Sequence, residues 1–263
     1  KNMPPACFLN GLSSPIKAAK KQIPERVSAF FEAINQHSSN TDLAYDLGCG
    51  SGLLSYFLSD KFNEIIAIET DLKSYGCAFK NLEKFKNIKV INEDASSYDF
   101  DKKADLIVCE MLDTALIDEE EVPVLNHARR FLKKDGQIIP KAIVNIAELV
   151  NMQRHYVHWD ENAIYEILSK PVTYSKIILK DEINPNFEKD IQFIADKDRT
   201  ANGIKITTVT ILNDDVVCGP TPMFNPPLLI PIDEMDVKCN DLINVKLKYI
   251  MGQGIETIET EIL

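Results

Sequence analysis

The chain has 263 residues, 45% of them hydrophobic and 26% charged, enough apolar material for one large globular domain or two moderate ones. Its formal net charge of −11 argues against a broad phosphate-binding face, since nucleic-acid affinity rests on Lys and Arg neutralising phosphates. An acidic surface suits a basic partner instead, such as a Lys- or Arg-rich protein segment. The six cysteines, Cys7, Cys49, Cys77, Cys109, Cys218 and Cys239, contain no C-x-x-C pair. That excludes zinc-finger spacing and points to reduced thiols in a cytoplasmic protein. No signal-peptide pattern opens the sequence and no apolar run is long enough to span a bilayer, so no membrane partner is expected.

After an N-terminal helical segment, short apolar runs alternate with helical stretches. Leu43–Leu47 reads as a strand, Leu53–Lys61 as a helix, Glu64–Glu69 as a buried strand and Asp71–Phe85 as a helix. Ile88–Asn92 and Ala104–Glu110 read as further strands and Glu119–Lys133 as a helix. A strand follows over Gln137–Ala142, after a turn at Asp135-Gly136. This alternation predicts an α/β domain over residues 1–142, a Rossmann-like parallel sheet covered by helices. From Ile143 the pattern changes to strands: Val144–Leu149, Ile177–Leu179, Ile191–Ala195, Ile204–Leu212, Leu228–Ile232, Leu242–Ile250 and Thr257–Leu263. Turn signals such as Asn202-Gly203 and Gly219-Pro220 separate them, so residues 143–263 are expected to form an antiparallel β-barrel or sandwich.

The strongest local signal is Tyr45-Asp46-Leu47-Gly48-Cys49-Gly50-Ser51-Gly52, between a strand and the helix that Leu53 opens. Glycines let a backbone turn sharply and approach a ligand without a Cβ in the way. The next strand ends in Glu69, placed to accept from both hydroxyls of a ribose. The third ends in Glu93-Asp94-Ala95, where Asp94 is a candidate partner for an adenine amino group. Loop, acid and acid on three successive strand ends make a nucleoside pocket. The spacing G-x-G-x-G departs from the dinucleotide fingerprint G-x-G-x-x-G. Asp46 would also repel a pyrophosphate, yet it would attract a sulfonium or ammonium group. Asp46-Leu47-Gly48-Cys49-Gly50-Ser51-Gly52 resembles motif I of the Rossmann-like methyltransferases, which implies S-adenosyl-L-methionine as cofactor and no metal.

The fourth strand ends in Glu110, and Glu119-Glu120-Glu121 opens the following helix, where acids favour the helix dipole and ordinarily sit in water. The stretch from Cys109 to Glu119 resembles the "double-E" loop of the protein arginine methyltransferases, S-E-W-M-G-Y-x-L-x-x-E, with both glutamates at the family's separation. His127-Ala128-Arg129, Gly136-Gln137-Ile138-Ile139-Pro140, Val157-His158-Trp159-Asp160-Glu161-Asn162 and Arg26-Val27-Ser28-Ala29-Phe30 are similar to further family motifs. The likeness covers about residues 24 to 165. It implies that Glu110 and Glu119 are catalytic and grip the acceptor, and that Arg26 holds the cofactor's carboxylate. A guanidinium presents a planar fork of donors that carboxylates match.

At the acceptor end this sequence departs from the family. Its aromatic pair in the acidic loop is Met111 and Thr114, and its Gly is Asp113. The T-H-W loop falls near Pro222–Pro226 without His or Trp. No N-terminal aromatic motif is recognisable in Lys1–Ile23, and the segment from Ser169 to Ile191 is short for the family's dimerisation arm. A protein substrate is expected over RNA, with arginine or another amine as acceptor. The alternatives are an RNA methyltransferase, to which Asn225-Pro226-Pro227-Leu228 bears a superficial likeness, and a non-catalytic S-adenosylmethionine-binding regulatory protein. His155 and His158 lack partners at metal-ligand spacing and read as structural, and Trp159 as a core or domain-interface residue. The oligomeric state is left open.

Overall fold

The computed structural model of the protein describes residues 23–160, 162–219 and 225–263. The segment Lys1–Ile23, in which no cofactor-closing aromatic motif is recognisable, lies outside them apart from Ile23 itself, as do Glu161 and most of the counterpart of the T-H-W loop.

The first layer is a five-stranded parallel sheet. Its strands are β1 (Thr41–Leu47), β2 (Phe62–Ile68), β3 (Ile88–Ile91), β4 (Ala104–Cys109) and β5 (Leu132–Ile139), in the spatial order β3-β2-β1-β4-β5. The helices are α1 (Ile23–Asn35), α2 (Leu53–Leu58), α3 (Leu72–Leu82) and α4 (Glu121–Ala128). The central strands are buried at nearly every position, β1 from Leu43 to Leu47 and β4 from Leu106 to Cys109. Continuous apolar runs of this kind require cover on both faces, and parallel strands with helical crossovers supply it. The strand order reverses between β1 and β4. Side chains at the carboxyl ends of those two strands therefore open into a crevice that no crossover covers.

The largest departure from the sequence expectation within this layer lies around the last helix and strand. The helix after the acidic loop ends at Ala128 and continues only as a 3-10 turn over Arg129–Phe131. Strand β5 then begins at Leu132, so Asp135 and Gly136 lie inside it. They do so because its pairing with β4 shifts register between Ala104 and Leu106, an irregularity that takes up the polar stretch.

The second layer follows from β6 (Ala142–Met152), two residues beyond β5. Its larger sheet has seven strands. The path runs β7 (His158–Trp159), β13 (Leu228–Val237), β11 (Arg199–Ile211), β6 and β8 (Tyr165–Ile167), with β12 (Val217–Cys218) on β11 and β9 (Val172–Ile178) on β6. A second sheet has the order β10 (Asn186–Ile194), β14 (Leu242–Ile250), β15 (Glu259–Ile262). In β14 burial alternates residue by residue, the pattern of a strand with one face inside. Among the described residues both sheets keep free edges and no closed barrel forms, so the arrangement is a sandwich. A bridge between Ser169 and Ala195 joins them at one corner.

Helix α1 ties the layers together. Its buried face, Ala29, Phe30, Ala33 and Ile34, is part of the main core, and the helix packs against both α2 and β12. Arg26 is thereby held between the parallel sheet and the β-sandwich.

Candidate active site

Three glycines shape the turn after β1, with φ of +69° at Gly48, +55° at Gly50 and +84° at Gly52, all in the left-handed region that disfavours a side chain. Their surroundings differ. A Cβ on Gly48 would lie 2.8 Å from Met111 Sδ, and one on Gly52 would lie 2.5 Å from Leu82 Cδ1. A Cβ on Gly50 would meet nothing within 4 Å. Gly48 and Gly52 are therefore required by the protein's own packing, whereas Gly50 borders open space at the crevice.

Glu69 closes one side of that space. Its Oε2 accepts from the Gly50 N–H at 2.8 Å and its Oε1 from the Asp71 N–H at 2.8 Å. Each oxygen keeps acceptor capacity for an outside donor. Asn92 fixes the strand end beneath it by donating to the Glu69 and Thr70 carbonyls at 2.8 and 3.0 Å. Asp94 lies on an exposed loop, where its Oδ1 accepts from the Ser96 N–H at 2.8 Å; Ala95 beside it is buried. On the other side Asp46 is 1% exposed. Its Oδ2 accepts from Ser55 Oγ at 2.5 Å, and its Oδ1 has no hydrogen-bond partner among the described residues. Burial holds the Asp46 carboxyl up at about 7, with the charges of Glu110 and Glu69 adding to the effect and the Ser55 hydrogen bonds opposing it. A buried carboxylate with a free oxygen beside an open glycine turn suits a positively charged group. The cradle thus suits an adenosyl sulfonium: room at Gly50, acceptors at Glu69 for hydroxyls, negative charge at Asp46.

The acidic loop after β4 is held in an unusual backbone shape. Ala115 and Leu116 adopt φ of +63° and +59°, a conformation costing non-glycine residues on the order of 1–2 kcal/mol each. Hydrogen bonds fix the loop. The Ala115 N–H donates to Thr208 Oγ1 at 2.9 Å, and Thr208 in turn donates to Asn145 Oδ1 at 2.7 Å. Thr114 Oγ1 donates to the Pro226 carbonyl at 2.7 Å. Asp113 Oδ2 accepts from the Ile117 and Asp118 N–H groups at 3.0 and 2.9 Å. The turn after β14 clamps the far side, with Gly252 and Gly254 donating to the Leu116 and Ile117 carbonyls at 3.0 and 2.9 Å. The β-sandwich therefore sets the path of the loop from behind.

Glu110, with its side chain 32% exposed, pairs through Oε1 with Nη2 of the buried Arg26. Arg26 Nη1 also donates to Asn225 Oδ1 at 3.5 Å. Arg26 is thus engaged with the acidic loop, whereas the family likeness assigns it to a cofactor carboxylate. Burial raises the Glu110 carboxyl above its ordinary range against the pull of Arg26, and Glu119 pushes it further. Burial also raises Glu119, helped by Asp118 and Glu120 and opposed by Arg26. The two expected glutamates thus feel each other and share one cation, although Glu119 stands at the exposed rim.

One expectation is corrected. Of the three acids that open α4, Glu121 is not in water: it is 0% exposed, and neither of its oxygens has a hydrogen-bond partner among the described residues. Asp113 is buried as well and held up at about 7 by that burial. No local sequence signal distinguishes Glu121 from the solvated acids beside it. His155 and His158 bond the Ile232 and Tyr156 carbonyls at 3.0 and 2.7 Å, and Trp159 packs against the core from the edge strand β7.

A family profile described as "Methyltransferase domain" matches residues 44–136, from β1 through β5. With its parallel sheet, glycine turn and strand-end acids, the chain is a class I S-adenosylmethionine-dependent methyltransferase that binds that cofactor. An uncharacterised protein of Methanothermobacter thermautotrophicus is 42% identical over 91% of this chain and 94% of its own length, and the chain belongs to the same family as that protein. Protein arginine N-methyltransferase 7 of Gallus gallus is 28% identical over 52% of this chain and 21% of its own. Among solved structures, the Trypanosoma brucei PRMT1 enzyme–prozyme heterotetrameric complex with AdoHcy matches with a TM-score of 0.74. That match covers 94% of this chain and 97% of the other at 11% identity, a likeness of fold. Among the described residues no helix is long and apolar enough to cross a membrane.

Proposed function

We propose that the chain methylates an amine or guanidinium nitrogen of a protein substrate, held at the acidic loop by Glu110 and Glu119. The observation that carries this reading is the position of Glu110. It stands at the carboxyl end of β4 beside the glycine turn, partly open, with its charge matched by a buried arginine and a second glutamate acting on it. The relatives named as arginine methyltransferases support a protein acceptor, and so does the net charge of −11.

In this reading residues 1–142 carry the cofactor and residues 143–263 close the acceptor side. Gly48, Gly50, Gly52 and Leu53 line the cofactor's path, Glu69 takes its ribose, Asp94 and Ala95 lie at its adenine, and Asp46 faces its positive charge. Arg26 has two tasks, holding Glu110 and meeting the cofactor's carboxylate. When bound, S-adenosylmethionine supplies an electrophilic methyl on a cationic sulfur. Glu110 and Glu119 accept N–H bonds from the acceptor, fix it in line with that methyl and localise its positive charge away from the reacting nitrogen. Carboxyls raised by burial are also better bases, so the same pair receives the proton that the acceptor nitrogen sheds. Preorganised charge does most of the work, and the Thr208 and Pro226 bonds keep the loop from relaxing.

The test is transfer of labelled methyl from the cofactor into a cell lysate, split by protease and by RNase treatment. Label that disappears with protease supports a protein acceptor. Label that survives protease and vanishes with RNase overturns it in favour of RNA, and no label in any macromolecule overturns both.

A further inference from the structure

We propose that Glu121 is a third carboxylate of the acceptor site, one that accepts a hydrogen bond from the acceptor's cationic group beside Glu110 and Glu119. The inference rests on the acceptor site proposed above and extends it.

Glu121 is the first residue of α4, which packs against β4, the strand that ends in Glu110. A structural acid at that position would cap the free N–H groups of the helix's first turn. Neither oxygen of Glu121 does so: both are buried and without a hydrogen-bond partner among the described residues. An unpaired buried carboxyl is costly to fold, and such groups persist where something else satisfies them. The charges that act on Glu121 are those of Glu110, Asp113 and Glu119, all acidic, against Arg26 as the cation, so its surroundings are short of positive charge. Burial and the neighbouring acids accordingly hold its carboxyl far above the ordinary range. A cationic acceptor entering beside Glu110 supplies both missing elements, N–H donors and charge. It also draws Glu121 into its ionised form. Apolar contact alone would call for a residue such as Met at this position.

The experiment is calorimetric titration of ethylguanidinium and of butylammonium into the full chain saturated with S-adenosylhomocysteine. It compares wild type, Glu121→Gln, Glu121→Met and Glu110→Gln. Wild type should bind one or both cations. Both substitutions at 121 should weaken that binding by roughly tenfold or more, as loss of a charged hydrogen bond does, while S-adenosylhomocysteine affinity stays within about twofold. Melting temperatures should not fall, because each substitution removes a buried, unpaired carboxyl; Met carries the comparison if Gln folds poorly. If Glu121→Met and Glu121→Gln keep wild-type affinity for the cations while Glu110→Gln loses it, the third-acid role is wrong and the two-glutamate site stands. If wild type binds neither cation, the acceptor site itself is wrong, and this inference falls with it.

Discussion

Replacing Asp46 with Asn should remove a pH dependence from cofactor binding. In the folded, ligand-free chain this carboxyl is held up at about 7, against about 4 for an ordinary aspartate. The folded-state value is the higher one, so the effect on stability has a definite sign. Below about pH 4 the group is protonated in both states and costs nothing. Between about 4 and about 7 the unfolded chain ionises while the folded chain keeps its proton, and stability falls. Above about 7 the loss is constant, on the order of 4 kcal/mol for a shift of about three units, an upper figure since binding of a cation or local relaxation reduces it. Ligand binding has the opposite sign. A cationic ligand beside Asp46 prefers the carboxylate, so affinity should rise as pH rises towards 7 and then level off. At pH 6 about a tenth of the free protein carries the charge, which makes the dissociation constant roughly tenfold weaker than at pH 8. Calorimetric titration of S-adenosylmethionine from pH 5.5 to 8.5 measures this directly. The Asn variant should bind more weakly at pH 8 but show little slope, and its melting temperature at pH 8 should exceed that of wild type. A flat wild-type profile, or an Asn variant with the wild-type slope, refutes the placement of positive charge at Asp46.

The glycine turn separates packing from binding. Gly50→Ala should leave the fold nearly intact, at a cost of about 1 kcal/mol for its positive φ, yet reduce cofactor affinity by tenfold or more, as read by calorimetry together with a melting curve. Gly52→Ala, whose Cβ would strike Leu82, should instead lower the melting temperature markedly. Glu69→Ala removes the acceptor of two backbone N–H groups as well as the ribose contact and should weaken S-adenosylhomocysteine binding by roughly a hundredfold, with no change expected on Asp94→Ala larger than about tenfold. Arg26→Ala strips Glu110 of its cation and should cost about 3–5 kcal/mol by urea unfolding, with methyl transfer lost even at saturating cofactor. Thr208→Val leaves the Ala115 N–H without its acceptor; it should cost about 1–3 kcal/mol and lower kcat more than it alters the KM for cofactor.

The parallel sheet was legible in the sequence because its central strands are buried on both faces and therefore spell out continuous apolar runs, as in Ala104–Cys109. The glycine turn was legible because three positive-φ positions in five residues leave glycine as the ready choice. Legibility fails where a contact across the chain decides. Asp135-Gly136 has the composition of a turn, but pairing with β4 draws it into a strand. The strands β7, β8 and β12 are two or three residues long and exist only because β13, β6 and β11 offer partners. Glu121 reads as a solvated helix-start acid. It is buried because it follows a loop that the β14 turn and Thr208 hold against the sandwich, from residues far along the chain. Asn225 stood out only for the superficial likeness of Asn225-Pro226-Pro227-Leu228 to a nucleic-acid methyltransferase motif, and nothing local indicated that it would reach Arg26.

The acids at the end of β4 are proposed to hold a protein nitrogen in line with the cofactor's methyl. Acid hydrolysis of labelled protein after reaction with wild type and with Glu110→Gln, followed by chromatography of the amino acids, tests it most directly. Label should appear on a methylated arginine or another basic side chain with wild type, and at least a hundredfold less with the variant (roughly 3 kcal/mol of transition-state stabilisation). Equal labelling by both proteins, or label only on a side chain that carries no basic nitrogen, would contradict it.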